Sequence, residues 1–172
     1  MSERPSAGPS RNGFLLFNLV ALGGALFDLL AKAWVFRWLP EGSAPVDVWP
    51  PVLRISRVMN FGIVWGLFQG YGGTVFLAVS LAALPLLVGI ASRTGRLWPL
   101  AGLAAVTAGT AGNLYDRILF GGVRDFLAVD LGFMNWPDFN VADSMICVGV
   151  GILLVTWGRA TDSADGKSKT EN

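Results

Sequence analysis

The chain has 172 residues, enough for one ordinary domain or for a handful of membrane spans of about 20 residues each. Only 15% are charged and 53% are hydrophobic, against about 25% charged in a soluble domain, so too little polar surface exists to cover the molecule in water. The net charge of +1 argues against a nucleic-acid face. The absence of histidine excludes Ser-His-Asp, Cys-His and His-ligated metal chemistry. A single cysteine, Cys147, excludes an internal disulfide and any CxxC site. With 22 glycines for close helix packing and 7 tryptophans for interfacial anchoring, this is the composition of a small integral membrane protein.

Residues 1–13 are polar, carry Arg4 and Arg11, and are read as a short disordered tail. From Gly13 to about Leu39 the chain is almost continuously apolar, interrupted by Asp28 and Lys32; it is too long for a signal peptide and lacks a clean small-x-small cleavage site. It is expected to be an uncleaved first helix. Pro40, Pro45, Pro50 and Pro51 then prevent a continuous helix. Within that segment Trp49–Ile55 and Val58–Trp65 are β-like, which predicts a small sheet or hairpin at the membrane surface. A second span is expected from Gly73 to Ala91, a basic turn at residues 92–96, a third span from Leu97 to Tyr115, and a fourth from Phe139 to Trp157. Between the last two, Asp116–Asp138 mixes acids, arginines, glycines and aromatics, and the tail from Arg159 is expected to be disordered.

The fold class is thus integral membrane α-helical, with four transmembrane helices and a small extracytoplasmic β-containing segment between helices 1 and 2. A single membrane domain covers residues 14–158, with tails at 1–13 and 159–172. Four spans put both termini on one side. The tails and the 92–96 turn hold Arg4, Arg11, Arg93, Arg96, Arg159, Lys167 and Lys169, whereas the two larger connections hold more acids than bases. Both termini are therefore expected in the cytoplasm and both large connections outside.

Charges in or beside a bilayer are costly and each needs a reason. Asp28 and Lys32 lie four residues apart on one helix face and can pair, with Lys32 expected to snorkel outward. Asn60 precedes Phe61-Gly62, as a turn residue would. Asn113, Asp116 and Arg117 fall at i, i+3 and i+4, so one helical face presents an amide, a carboxylate and a guanidinium; an Asp–Arg pair holding the helix end accounts for them structurally. Gly121-Gly122 allow a tight return that brings Asp125 back toward the membrane. Asn140 is placed to cap the fourth helix, with Asp143 at its third position. Two carboxylates brought together at a partly desolvated boundary share a proton, so one can act as base and the other as acid. Such a pair activates water without histidine, metal or a nucleophilic serine, which makes an aspartyl hydrolase the natural enzyme reading.

The segment Gly112-Asn113-Leu114-Tyr115-Asp116-Arg117 through Gly122-Val123-Arg124-Asp125-Phe126 resembles the G-N-x-x-D-R…G-x-V-x-D-F block of lipoprotein signal peptidase, the bacterial signal peptidase II. Phe139-Asn140-Val141-Ala142-Asp143-Ser144 resembles its F-N-x-A-D-S, Asp28 with Lys32 its D-x-x-x-K, and Asn60-Phe61-Gly62 its N-x-G. The resemblance covers nearly the whole chain. It implies a catalytic pair, Asp125 and Asp143, with Asn60, Asn113, Arg117 and Asn140 shaping the site and Asp28, Lys32 and Asp116 in support. It also implies cleavage of prolipoprotein signal peptides just before a diacylglyceryl-modified cysteine, at the outer face of the cytoplasmic (inner) membrane. Neither metal nor cofactor is implied. Membrane lipids and globomycin-type inhibitors are the other implied ligands, and a monomer suffices. One departure is that bulky Ile63-Val64-Trp65 follow Gly62, which bears on the lipobox pocket and on inhibitor fit.

Three rivals remain. A Ser-Lys protease would need Lys32 beside Ser56 or Ser144, but Asp28 would hold Lys32 charged, which is wrong for a base. A four-span transporter using membrane-edge aspartates should carry its acids near the midplane instead. A catalytically divergent or inactive paralogue differs only in activity. Cys147 reads as a packing residue rather than a nucleophile.

Overall fold

A computed structural model describes residues 8–62 and 72–168, with side chains described up to residue 156. Four helices alternate with two hairpins: α1 (Arg11–Trp38), β1 (Val46–Trp49), β2 (Leu53–Asn60), α2 (Gly72–Ala91), α3 (Leu97–Phe120), β3 (Val123–Asp130), β4 (Asn135–Phe139) and α4 (Val141–Ser168). The expected bulky stretch Ile63-Val64-Trp65 lies outside the described residues.

Helix α3 is the hub and packs against α1, α2 and α4. Its Gly102, Ala104, Ala105, Ala108, Gly109 and Gly112 are buried, and these small side chains let neighbouring backbones approach closely. Helices α1 and α2 are long and apolar enough to cross a membrane, with mean hydropathies of 2.0 and 2.4. On α1 the usual distribution is inverted: Phe14, Leu19, Leu22, Leu26 and Leu30 face outward, while Asp28 and Lys32 are fully buried. That pattern suits an apolar surrounding, because only the protein interior offers polar partners there.

The strands form one antiparallel sheet in the order β1-β2-β3-β4. The expected segment between the first two helices supplies only half of it. The other half comes from the connection between α3 and α4, where Val123, Arg124, Asp125 and Phe126 are buried in succession, so both faces of the strand are covered at its start and two of the covered side chains are charged. The two β-like stretches expected at 49–55 and 58–65 resolve into a hairpin whose second strand runs unbroken from Leu53 to Asn60, with an irregularity between Ile55 and Val58. Val35, Leu39 and Phe126, with Ile55, Leu127 and Val141 against them, anchor the sheet to the end of α1 and the start of α4.

Two helices outrun their expected ends. Helix α3 continues past Tyr115 to Phe120, because Asp116 finds partners inside the protein and need not leave the helix for water. It stops at Gly121, whose φ of +71° is open to glycine and whose N–H bonds the Arg117 carbonyl at 3.1 Å. Helix α4 continues through Ser168, although a disordered tail was expected from Arg159. Adding a residue to an existing helix needs no new nucleus, so α4 propagates through a polar segment that would not start a helix alone.

Candidate active site

A reciprocal cap sets the geometry at the start of α4. The Asn140 carbonyl oxygen Oδ1 accepts from the Asp143 N–H at 3.0 Å, and Asp143 Oδ2 accepts from the Asn140 N–H at 3.2 Å. The cap expected from sequence is therefore formed, and it fixes the Asp143 carboxylate over the helix N-terminus. The Asn140 amide then donates to Asp125 Oδ1 at 2.6 Å and to Asn113 Oδ1 at 3.2 Å. Asn140 is thus the bridge between the two aspartates.

Each carboxylate also has a second amide donor. Asn60 at the end of β2 donates to Asp125 Oδ2 at 3.0 Å, and Asn113 on α3 donates to Asp143 Oδ1 at 2.8 Å. Gly62, at φ +85°, turns its N–H onto Asn60 Oδ1 at 2.9 Å, which leaves the Asn60 NH2 facing Asp125. Sequence spacing treated Asn60 as a turn residue; it is one, and the turn aims it.

Lys32 orients Asn113. Its Nζ lies 2.7 Å from Asp28 Oδ2, donates to Asn113 Oδ1 at 2.9 Å, and stands 3.5 Å from Asp116 Oδ2. The Asp28–Lys32 pair is formed, but Lys32 does not snorkel outward as expected; it is fully buried. An ammonium has three donors, and three oxygens meet it inside, so water offers it nothing further. Asp28 in turn accepts the Ala142 N–H at 2.9 Å, which ties α1 to the first turn of α4. Gly112 leaves room for this: a Cβ there would lie 2.5 Å from Asp28 Oδ2.

The expected Asp–Arg pair is a different one. Asp116 binds Arg124, at 2.7 Å from Nη2 and 3.0 Å from the backbone N–H, not its neighbour Arg117. The Arg124 guanidinium lies 4.6 Å from the Phe120 ring centroid. Arg117 is half-buried on the open side, with its guanidinium 5.5 Å from the Phe76 ring centroid on α2 and within electrostatic reach of Asp125, Asp143 and Asp116. Sequence reading missed Arg124 and Phe76 as members of the site. Arg124 could have been found from its place beside Asp125 in an alternating strand, whereas the Phe76 contact had no local signal.

Burial sets the electrostatics of Asp125. Asp125 is 1% exposed, and burial, with the charge of Asp143 adding to it, pushes its carboxyl up to about 7 despite the opposing amides of Asn60 and Asn140 and the Lys32 charge. Asp143, Asn60 and Arg117 are only half-buried and form the accessible side. Among the described residues no three carboxylates or thiols converge as metal ligands. The arrangement can hold a proton between two carboxyl groups and present them to a polar substrate atom from one side.

A sequence profile of the signal peptidase II family matches residues 20–158. The chain belongs to that family. It is 38% identical to the lipoprotein signal peptidase of Xanthomonas campestris, over 90% of this chain and 92% of that one. It is 37% identical to that of Syntrophus aciditrophicus, over 82% and 91% respectively. A solved bacterial membrane enzyme, determined by the in meso method, superposes with a TM-score of 0.78 at 25% identity, covering 94% of this chain and 96% of that one. As a signal peptidase II family member, the chain is a membrane peptidase.

Proposed function

We propose that the protein is an intramembrane aspartyl endopeptidase that removes signal peptides from diacylglyceryl-modified prolipoproteins, with Asp125 and Asp143 as its catalytic pair. The observation that carries this reading is the linkage of two carboxylates from different elements through one asparagine, with the more buried one holding its proton to about 7. In this mechanism the pair carries one proton, held mainly on Asp125, and titrates as a unit. Asp143 accepts a proton from water, and the resulting hydroxide adds to the scissile carbonyl carbon. The tetrahedral intermediate then breaks its C–N bond while Asp125 gives its proton to the leaving amine. The proton gained by Asp143 passes to Asp125 when products leave, which restores the starting state of the pair.

Asn60, Asn113 and Asn140 position the carboxylates, and Asp28, Lys32 and Asp116 hold the amides. Arg117, with its guanidinium 5.5 Å from the Phe76 ring centroid at the accessible edge, orients substrate by hydrogen bonds to its carbonyl oxygens. All four helices span the bacterial cytoplasmic membrane, both termini face the cytoplasm, and the carboxylates lie at the outer interface. The substrate's acyl chains remain in the bilayer, one monomer suffices, and globomycin-type peptides compete at the same opening.

The test is a gel-shift assay with purified protein in detergent and a diacylglyceryl-modified prolipoprotein, beside Asp125→Asn and Asp143→Asn. Cleavage by the wild type and loss of at least about 10³-fold in each variant is the expected result, since an amide cannot exchange the proton. Near-wild-type turnover by either variant would refute the pair. No cleavage by a folded wild type would favour an inactive paralogue.

A further inference from the structure

At the end of the bundle remote from the carboxylates, the end of α2, the start of α3 and the flank of α4 enclose a groove of about 210 Å³. Its floor is apolar, from Ile90, Pro99, Leu103 and Leu153, and its mouth carries Arg93 and Arg96. From Arg96 to Asn113 is a helical rise of about 26 Å, close to the roughly 30 Å of a bilayer's hydrocarbon core. The arginines therefore stand at the membrane interface opposite the aspartate pair. We propose that this groove binds an anionic phospholipid, with its phosphate on Arg93 and Arg96 and part of one acyl chain along Leu103 and Leu153.

Charge and polarity together select the occupant. Two guanidinium groups at one mouth favour a phosphate, which each can meet with paired N–H donors. A zwitterionic headgroup would bring its own cation against them. A signal peptide's basic leading segment would be repelled from the same mouth. A soluble anion would satisfy the arginines but leave the apolar floor uncovered, whereas a phospholipid fills both. This binding is separate from peptide cleavage and acts on the bundle, since it joins α2, α3 and α4 at the end where the sheet does not reach.

Purified protein in detergent is titrated with phosphatidylglycerol or phosphatidylcholine, and bound lipid is counted by native mass spectrometry. The comparison includes Arg93→Gln/Arg96→Gln and, separately, Leu153→Trp. Both arginines are exposed, so the paired substitution leaves the core intact, and thermal unfolding checks each variant's fold. The wild type should retain phosphatidylglycerol in preference to phosphatidylcholine, and the double variant should bind it about fivefold more weakly for each arginine lost. Leu153→Trp should lose the lipid with both arginines present. Equal retention of the two lipids, or unchanged binding by the double variant, would overturn the proposal. Displacement by millimolar inorganic phosphate, with Leu153→Trp unaffected, would overturn it in favour of a free-anion site.

Discussion

Lys32→Met isolates the buried ion pair. Methionine matches the lysine stem in length but removes the charge, leaving Asp28 fully buried with its Ala142 N–H contact and no cation. Asp116 keeps Arg124 at 2.7 Å, so the deficit falls on Asp28 alone. Breaking a buried pair by deleting one partner costs about 3–5 kcal/mol. Adding Asp28→Asn neutralises the orphan and preserves an oxygen for Ala142. The double variant should therefore recover at least about 2 kcal/mol of that loss. Turnover should not recover with it, because Asn113 Oδ1 loses the shorter and charged of its two donors and keeps only the 3.2 Å bond from Asn140, which loosens the hold that turns its NH2 toward Asp143. Stability is read from reversible unfolding in mixed micelles with increasing dodecyl sulfate, and turnover from the prolipoprotein gel shift. A single variant costing less than about 1 kcal/mol, or a double variant no more stable than the single, would refute the pairing argument.

Two further outcomes follow from the site. Asp125 ionises near 3.8 in the unfolded chain but at about 7 in the fold, so between those values the native state binds the extra proton and stability falls as pH rises, levelling above about 7. Thermal unfolding across about pH 5 to 8 should show this slope in the wild type and lose it in Asp125→Asn; equal slopes would refute the shift. Gly109→Ala places a methyl group against the Ala142 carbonyl oxygen and Ile146, prying α3 from α4 at the residue before Asp143. It should cost about 1–3 kcal/mol and depress cleavage, and a neutral effect on both would contradict the close packing of the two helices.

Much of the framework was legible because apolar length and turn chemistry are local. The ends of α2 and the cap at Asn140 and Asp143 follow from residues within a few positions of one another. The sheet was half-legible: a hairpin was expected between the first two helices, although Pro50 and Pro51 fall in its turn rather than inside a β-like stretch at 49–55, whereas β3 carries Arg124 and Asp125 where a strand facing a core should be apolar. Those charges are tolerated because Asp116, Asn60 and Asn140 meet them from three other segments, and no window along the chain contains that information. The burial of Lys32 was hidden for the same reason, since two of its three oxygen partners lie more than 80 residues away on α3.

The distribution of charge around the aspartates suits the proposed proton transfer in a chain without histidine. Asp28, Lys32, Asp116 and Arg124 are two anions and two cations in mutual contact, so this supporting cluster carries no net charge into the interior. The groups that touch the carboxylates directly are the amides of Asn60, Asn113 and Asn140, which orient without titrating. A lysine in direct contact with Asp125 or Asp143 would pull its proton affinity down. Placing Lys32 one amide further away, behind Asn113, keeps the cation's orienting effect while burial still raises Asp125 to about 7. Moving that charge forward, as Asn113→Lys would, should hold the pair doubly ionised at neutral pH, without the proton that the proposed mechanism gives to the departing amine, and so abolish cleavage in the prolipoprotein gel shift.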